Sequence, residues 1–260
     1  MQIVSWNVQN GIDAFAEPKL AQQCDYLIKL NADVIALQEV DSEYMASLEE
    51  ALDDYHWHFA PALSFYKAGQ FVQFGNAIGA KKGTAVQWRA HYLLPAASDA
   101  KQHMPRSAGE LVVEIAGEFV RVVTSHLEFY CAKQRRYQLQ QIDGIVNAAS
   151  ISRDYPSQAT EGLYKPLPLP VNAIICGDFN FADQSDEYQS LFISQGGWRD
   201  LAQSNPRPTC GIFDTKQWPN GADRRDYFAT NSQTLQAKVV VDEGISLSDH
   251  QPCVLHVTHF

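Results

Sequence analysis

Six short runs of apolar or β-branched residues each stop at, or start from, a polar side chain able to do chemistry. Ile3-Val4-Ser5-Trp6 leads into Asn7, Val34-Ile35-Ala36-Leu37 into Gln38-Glu39, and Phe119 to Thr124 into Ser125-His126. Ala173-Ile174-Ile175-Cys176 leads into Gly177-Asp178-Phe179-Asn180, Asp226 opens Tyr227-Phe228-Ala229, and Asp249-His250 stands just before Pro252-Cys253-Val254-Leu255. Runs this short, bounded by Gly, Asn, Asp or Pro, predict buried strands. Between them the period becomes helical. Pro18 to Leu30 predicts a helix with Pro18 in its first turn, and Asp41 to Leu52 and Cys131 to Ala149 carry similar patterns. Leu111 to Ser125 predicts an antiparallel hairpin turning at Ala116-Gly117. The mixture implies two sheets packed together with helices outside.

The one linker-like stretch, Arg153 to Pro170, is rich in Pro and polar residues. Chemically capable segments lie on both sides of it, so it is expected to be a surface loop within a single domain over 1–260. A chain of 260 residues can bury a substantial core, and 45% hydrophobic with 19% charged residues argues against disorder. No apolar run is long enough to span a bilayer and no leader pattern opens the chain, so a cytoplasmic protein without a membrane span is expected. Cys24, Cys131, Cys176, Cys210 and Cys253 are dispersed and odd in number, as suits free thiols rather than a zinc site or disulfide framework. A net charge of −10 disfavours a broad surface that tracks nucleic-acid phosphates, while leaving room for a local basic patch.

Cleaving a phosphate ester requires an oriented, deprotonated water and stabilisation of charge on the phosphoryl and leaving oxygens. A hard divalent ion needs only one or two carboxylates and an amide, a set that Asn7, Glu39 and Asp249 supply. Asp178 and Asn180, two apart on an extended segment after Gly177, would face one side as a base and its positioning partner. Asp226 and His250 form a plausible carboxylate–imidazole pair, with His126 a further ring at a strand end.

SWNVQNG, LQEV, SHLE, GDFN, RDYF and SDHQP, in this order, resemble the endonuclease/exonuclease/phosphatase (DNase I-like) superfamily. FGNAI (74–78), MPRSA (104–108) and RRYQLQQI agree, so the resemblance runs from about Ile3 to Val254. It implies an α+β four-layer sandwich, two packed mixed β-sheets flanked by helices, with a cleft at one edge. By the same resemblance Asn7 and Glu39 lie at a divalent ion, Mg²⁺ or Mn²⁺, and Asp249 binds metal or supports the leaving group. Asp178 activates water with Asn180 beside it, and Asp226 orients His250, which contacts the phosphate. His126 places the chain in the branch with a His on the central strand. The stretch before GDFN is longer than the family pattern, because of the 153–170 loop.

The function expected is therefore metal-dependent hydrolysis of a phosphodiester or phosphomonoester, favouring a small nucleotide, metabolite or lipid headgroup. Nuclease action on DNA or RNA is the alternative within that chemistry. It would draw on Lys81-Lys82, Lys133, Arg135-Arg136 and Arg224-Arg225, with Tyr66, Trp88, Tyr130 and Trp218 to stack bases. A non-catalytic domain that binds a phosphate ligand or a partner is the alternative of another class. No protein partner is inferred.

Overall fold

The computed structural model describes residues 1–97, 102–156, 159–194 and 197–259. Strand β1 (Gln2–Asn7) crosses through helix α1 (Leu20–Leu30) to the parallel strand β2 (Val34–Asp41). Helix α2 (Ser42–Ala51) leads to the long hairpin β3 (Tyr55–Lys67) and β4 (Gln70–Lys81). Then follow β5 (Ala85–Leu93), β6 (Arg106–Ile115), β7 (Glu118–Ser125), α3 (Ala132–Asp154) and β8 (Ile174–Asp178). The chain ends with α4 (Asp186–Tyr188), β9 (Arg199–Asp200), β10 (Asp226–Thr230), β11 (Gln236–Val241) and β12 (Cys253–His259). The strands form two six-stranded mixed sheets, in the orders β11-β12-β1-β2-β4-β3 and β5-β6-β7-β8-β10-β9. Each sheet holds one parallel pair, β1–β2 and β7–β8, among antiparallel neighbours.

Alternation along the strands builds the layers. Ile3, Val34, Ala36, Val122, Ile174 and Cys176 point into the space between the sheets. Their neighbours Val4, Trp6, Ile35 and Leu37 point outward onto Cys24, Leu27, Tyr44 and Leu48 of α1 and α2. On the second sheet Val123, Ile175 and Tyr227 meet Leu139, Ile142 and Val146 of α3. The result is the expected helix–sheet–sheet–helix sandwich.

Local chemistry sets the ends of the elements. Asp41 caps α2, its Oδ1 accepting from the amides of Glu43 (3.0 Å) and Tyr44 (2.8 Å). Asn31 adopts φ 49°, ψ 41° and stops α1. Pro18 is not in the first turn of α1: it bridges Ile12, and the helix starts after Lys19. The β6–β7 hairpin turns at Ala116 (φ 56°) and Gly117 (φ 83°), as expected. The 153–170 stretch begins inside α3, and its described residues from Tyr155 to Leu167 are almost all exposed. The five cysteines are free thiols, four of them buried. Among the described residues no helix is long and apolar enough to cross a membrane.

One glycine fixes how the central strands meet. Gly177 sits at φ 134°, and a Cβ there would lie 1.9 Å from the Ser125 carbonyl oxygen. Gly177→Ala should therefore destabilise the protein by about 3 kcal/mol or more, from overlap plus backbone strain. Chemical denaturation would show this as a lower midpoint with an unchanged slope.

Candidate active site at the sheet edge

All eight residues singled out from the sequence meet at one end of the sandwich. Asn7 ends β1, Asp178 ends β8 and Asp226 opens β10; His126 follows β7, and Asp249 and His250 precede β12. Glu39 reaches the cleft through a β-bulge. Opposite Asn76, β2 places both Gln38 and Glu39 between the pairs Leu37–Ala77 and Val40–Gly75, and Glu39 adopts φ 57°. The extra residue re-aims the strand, so that Gln38 points between the sheets while Glu39 keeps 29% side-chain exposure.

Asp178 is the hub. Its Oδ2 lies 3.1 Å from Asn7 Nδ2, 3.4 Å from His126 Nε2 and 3.6 Å from His250 Nε2. Its Oδ1 accepts from the Asn180 amide at 2.9 Å. Burial pushes its carboxyl up to about 7, against the pull of His250 and with a further push from Asp226. Asn7 also donates to Glu39 Oε1 at 3.1 Å, so one amide links two carboxylates. Burial raises the Glu39 carboxyl too, the Asn7 bond opposing it and the charge of Asp249 adding to it.

The two histidines differ in charge for physical reasons. Burial alone would keep His250 neutral, but Asp226, Asp178 and Asp249 overcome it and hold the ring's pKa well above the ordinary value. Its Nδ1 lies 2.7 Å from Asp226 Oδ2, which also accepts from Thr209 Oγ1 at 2.6 Å. His126 is held well below the ordinary value by burial and by the charges of Arg106 and His250. Its Nδ1 is 3.8 Å from Glu39 Oε1. One ring is thus a cation and the other a neutral imidazole. Asn180 donates from Nδ2 to the Leu127 carbonyl, which leaves its second N–H and its oxygen for a ligand. Ser248 Oγ donates to the Asn7 carbonyl (2.7 Å) and lies 3.2 Å from Asp249 Oδ1.

Several contributors escaped the sequence reading. Thr209 lies in an irregular stretch with no local signal, yet it orients Asp226. Trp6 donates from Nε1 to the His250 carbonyl at 2.9 Å, and Gln217 reaches Asp249 at 3.4 Å. Arg106, inside MPRSA, contacts His126 Nε2 at 3.2 Å. Asp178, Asp226 and His250 bring ligand-type atoms within 4.8 Å of one another, a buried Asp-Asp-His group. In it, His250 Nδ1 and Asp226 Oδ2 already face each other in a hydrogen bond.

Of the expected basic and aromatic surface groups, some are spent inside the fold. Arg224 is buried and pairs with both oxygens of Asp200 (2.6 and 2.8 Å), and Arg135 with Glu187 (2.8 Å). Trp88 stacks on His58. Trp218 lies edge-on to His250 at 6.4 Å beneath the Arg225 guanidinium, and Tyr130 is half exposed beside Phe129.

No curated protein sequence matches the chain. Solved structures do. The mannosyl-6-phosphatase Bt3783 of Bacteroides thetaiotaomicron aligns over 99% of each chain at 17% identity and TM-score 0.70. The human Nocturnin catalytic domain with bound sulfate aligns over 100% of this chain and 93% of its own, at 17% identity and TM-score 0.70. D. rerio TDP2 complexed with a single-strand DNA product aligns over 98% and 97%, at 20% identity and TM-score 0.63. At such identities these likenesses speak for the fold. The sequence itself matches the Endonuclease/Exonuclease/phosphatase family over residues 4–250. The chain belongs to that family, whose members are hydrolases acting on phosphate esters.

Proposed function

We propose that the chain, as one domain over 1–260, is a divalent-metal-dependent phosphoesterase that attacks a phosphodiester or phosphomonoester with an activated water. The observation that carries this is the position of Asp178 Oδ2, shared by Asn7 and two histidines, one cationic and one neutral. A buried carboxylate whose pKa is lifted to about 7 is a better base than an ordinary aspartate. Asp178 therefore takes the proton of the attacking water, with Asn180 positioning that water or a phosphate oxygen. Asp226 fixes the tautomer of His250, whose free Nε2–H donates to the phosphoryl oxygens. His126, neutral, orients the nucleophile or the phosphate alongside Asp178.

The donor set fits a hard cation. Glu39 is an oxygen donor open to the cleft, and the charge of Asp249 bears on it, opposed by the Asn7 bond and the charges of His250 and Arg106. A divalent ion relieves that arrangement, and oxygen ligands suit Mg²⁺ or Mn²⁺. Glu39 would hold it, with Asn7 and Asp249 flanking, and when bound it supplies charge stabilisation to the phosphoryl group.

A small nucleotide, metabolite or lipid headgroup is the favoured substrate. The net charge of −10 and the internal use of Arg224 and Arg135 leave little basic surface for a duplex. The nuclease alternative draws support from the exposed Phe129–Tyr130 pair and the Trp218–Arg225 contact at the cleft, which could stack bases. Free cysteines fit a reducing, cytoplasmic setting.

The direct test is hydrolysis of bis-p-nitrophenyl phosphate and p-nitrophenyl phosphate with Mg²⁺ or Mn²⁺. Turnover should vanish with EDTA and in Asp178→Asn and His250→Ala, and fall roughly a hundredfold or more in folded Asp226→Asn. Phosphate-ligand binding without turnover across a broad panel of esters would favour the non-catalytic reading. Calorimetric titration locates the cation: Glu39→Gln should weaken Mn²⁺ binding about tenfold or more, and Asp226→Asn should leave it nearly unchanged. The reverse ranking would move the ion to the Asp178–Asp226–His250 group.

Burying Asp178 also costs stability. Its folded pKa stands above that of the unfolded chain, so the contribution of this one group to stability is fully present below about pH 4 and is lost as pH rises through about 7. In metal-free protein Asp178→Asn should therefore raise Tm at pH 8 by several degrees and much less at pH 5. Equal shifts at both pH values would mean that the carboxyl is not protonated on folding.

A further inference from the structure

The hairpin of β3 and β4 outgrows its sheet at the end where the cleft opens. Asn76 of β4 stands across from the Glu39 bulge, and β2 gives out at Asp41, opposite Phe74. Ser42 Oγ ties the hairpin down there, accepting from the Gln73 amide at 2.8 Å. Beyond it β3 and β4 stay paired as far as Lys67 and Gln70. At roughly 3.3 Å per residue, the tip therefore stands about 20 Å past the level of Glu39.

The tip has an unusual composition. Residues 62–73 carry one charge, that of Lys67, and no acidic residue occurs between Asp54 and Asp99, although the net charge is −10. Paired residues share a face. Leu63 with Phe74 and Phe65 with Val72 form one, and Tyr66 with Phe71 the other, those two rings 5.5 Å apart. The first face continues the side that Asn76 and Ile78 turn towards the second sheet. Both faces are wet: Leu63 is 39% exposed, Phe65 42%, Tyr66 77% and Phe71 53%. At the end of the second sheet, Met104 and Phe129 add exposed apolar groups beside the segment that follows His126.

Large apolar groups held in water on a projecting arm mark a surface that meets something apolar. A protein groove would cover one face and leave the other wet. Strand addition along the free edge of β3 is hindered by Pro61 and by the bulge between Pro61 and Leu63. A lipid–water interface, by contrast, surrounds an inserted tip on all sides. It takes up Leu and Phe, suits the amphipathic ring of Tyr66, and offers lipid phosphates to Lys67 with no carboxylate nearby in the hairpin to repel them.

We propose that the β3–β4 tip is a membrane-docking arm, which inserts shallowly into a bilayer surface and holds the cleft against phosphate esters borne by lipids. The inference rests on the phosphoesterase reading and deepens it, because it names a lipid headgroup within a bilayer as the substrate class.

Phosphatidylcholine vesicles, with and without added phosphatidylserine, are the probe, mixed with the full-length protein and sedimented. Wild type should sediment with them, and the double variant Phe65→Ser/Phe71→Ser should bind about tenfold or more weakly. Tyr66→Trp puts a reporter at the tip, and its emission, corrected for that of wild type, should move to shorter wavelength when vesicles are added. Turnover of soluble p-nitrophenyl phosphate should be the same in both variants as in wild type, since neither touches the cleft residues. No vesicle binding by wild type, or equal binding by the double variant, overturns the proposal. An emission shift with oligothymidylate and none with vesicles overturns it too, and makes the arm a nucleic-acid contact. Should the double variant lack a cooperative thermal transition, Tyr66→Trp decides alone, unshifted emission at saturating lipid counting against the proposal and a shift for it. Hairpin-dependent vesicle binding without any ester turnover would keep this inference and sink the hydrolase reading. Metal-dependent turnover of soluble esters without vesicle binding would do the opposite.

Discussion

Removing a carboxylate from water is among the most expensive steps in building an active site, and at Asp178 both sheets share in offsetting it. The donor Asn7 comes from the end of β1 in one sheet, and the Asn180 amide from the turn after β8 in the other. His250 arrives from the segment before β12 and His126 from the end of β7. The carboxylate is therefore stable only when the two sheets are stacked in register. Asn7, the Asn180 amide and the His250 imidazolium are too few to abolish the desolvation, which is why its pKa stays near 7 rather than falling to that of a salt-bridged aspartate.

Register between the sheets is fixed by a second layer of polar contacts below the cleft. Gln38 Nε2 crosses from β2 to Thr124 Oγ1 of β7 at 2.9 Å. Asn76 of β4 donates to the Ser107 carbonyl of β6 at 2.9 Å, and Ser125 Oγ donates to the same carbonyl at 3.0 Å. Apolar packing alone tolerates small sliding of one sheet on another. Directional bonds between buried partners do not, because a mismatch strands donors in a dry interior. The floor thus converts a greasy interface into a fixed one, and Glu39, Asp178 and His126 inherit their positions from it.

The floor also explains what sequence alone made legible. The polar residues embedded in apolar strings, Gln38 in LQEV and Asn76 in FGNAI, stand out because a buried strand has little reason to carry an amide. The strand-end acids and histidines were visible for the same reason: they interrupt a period-2 pattern at a place where packing does not demand them. Pairings were less visible. Thr209 holds Asp226 from a stretch without periodicity, and only the folded chain brings it near. Arg106, Arg135 and Arg224 look alike as letters, yet one faces a histidine ring and a thioether while two are ion-paired internal struts. The edge strands β3, β5 and β11 have mixed faces and little apolar run to mark them. The Pro18 error has a related cause, since proline suits either a first turn or the extended residue just before it.

Two chemically identical side chains flank one carboxylate here and end in different protonation states. The difference lies one contact further out. Behind His250 stands Asp226, an anion fixed by Thr209; beside His126 stands Arg106, a cation. Swapping the sign of either outer partner would exchange a donor for an acceptor at Asp178. The polarity of the cleft is thus written mainly in residues beyond those that touch the reacting group. A chain with every strand-end acid and histidine in place could still lose the arrangement if Asp226 or Arg106 were neutral.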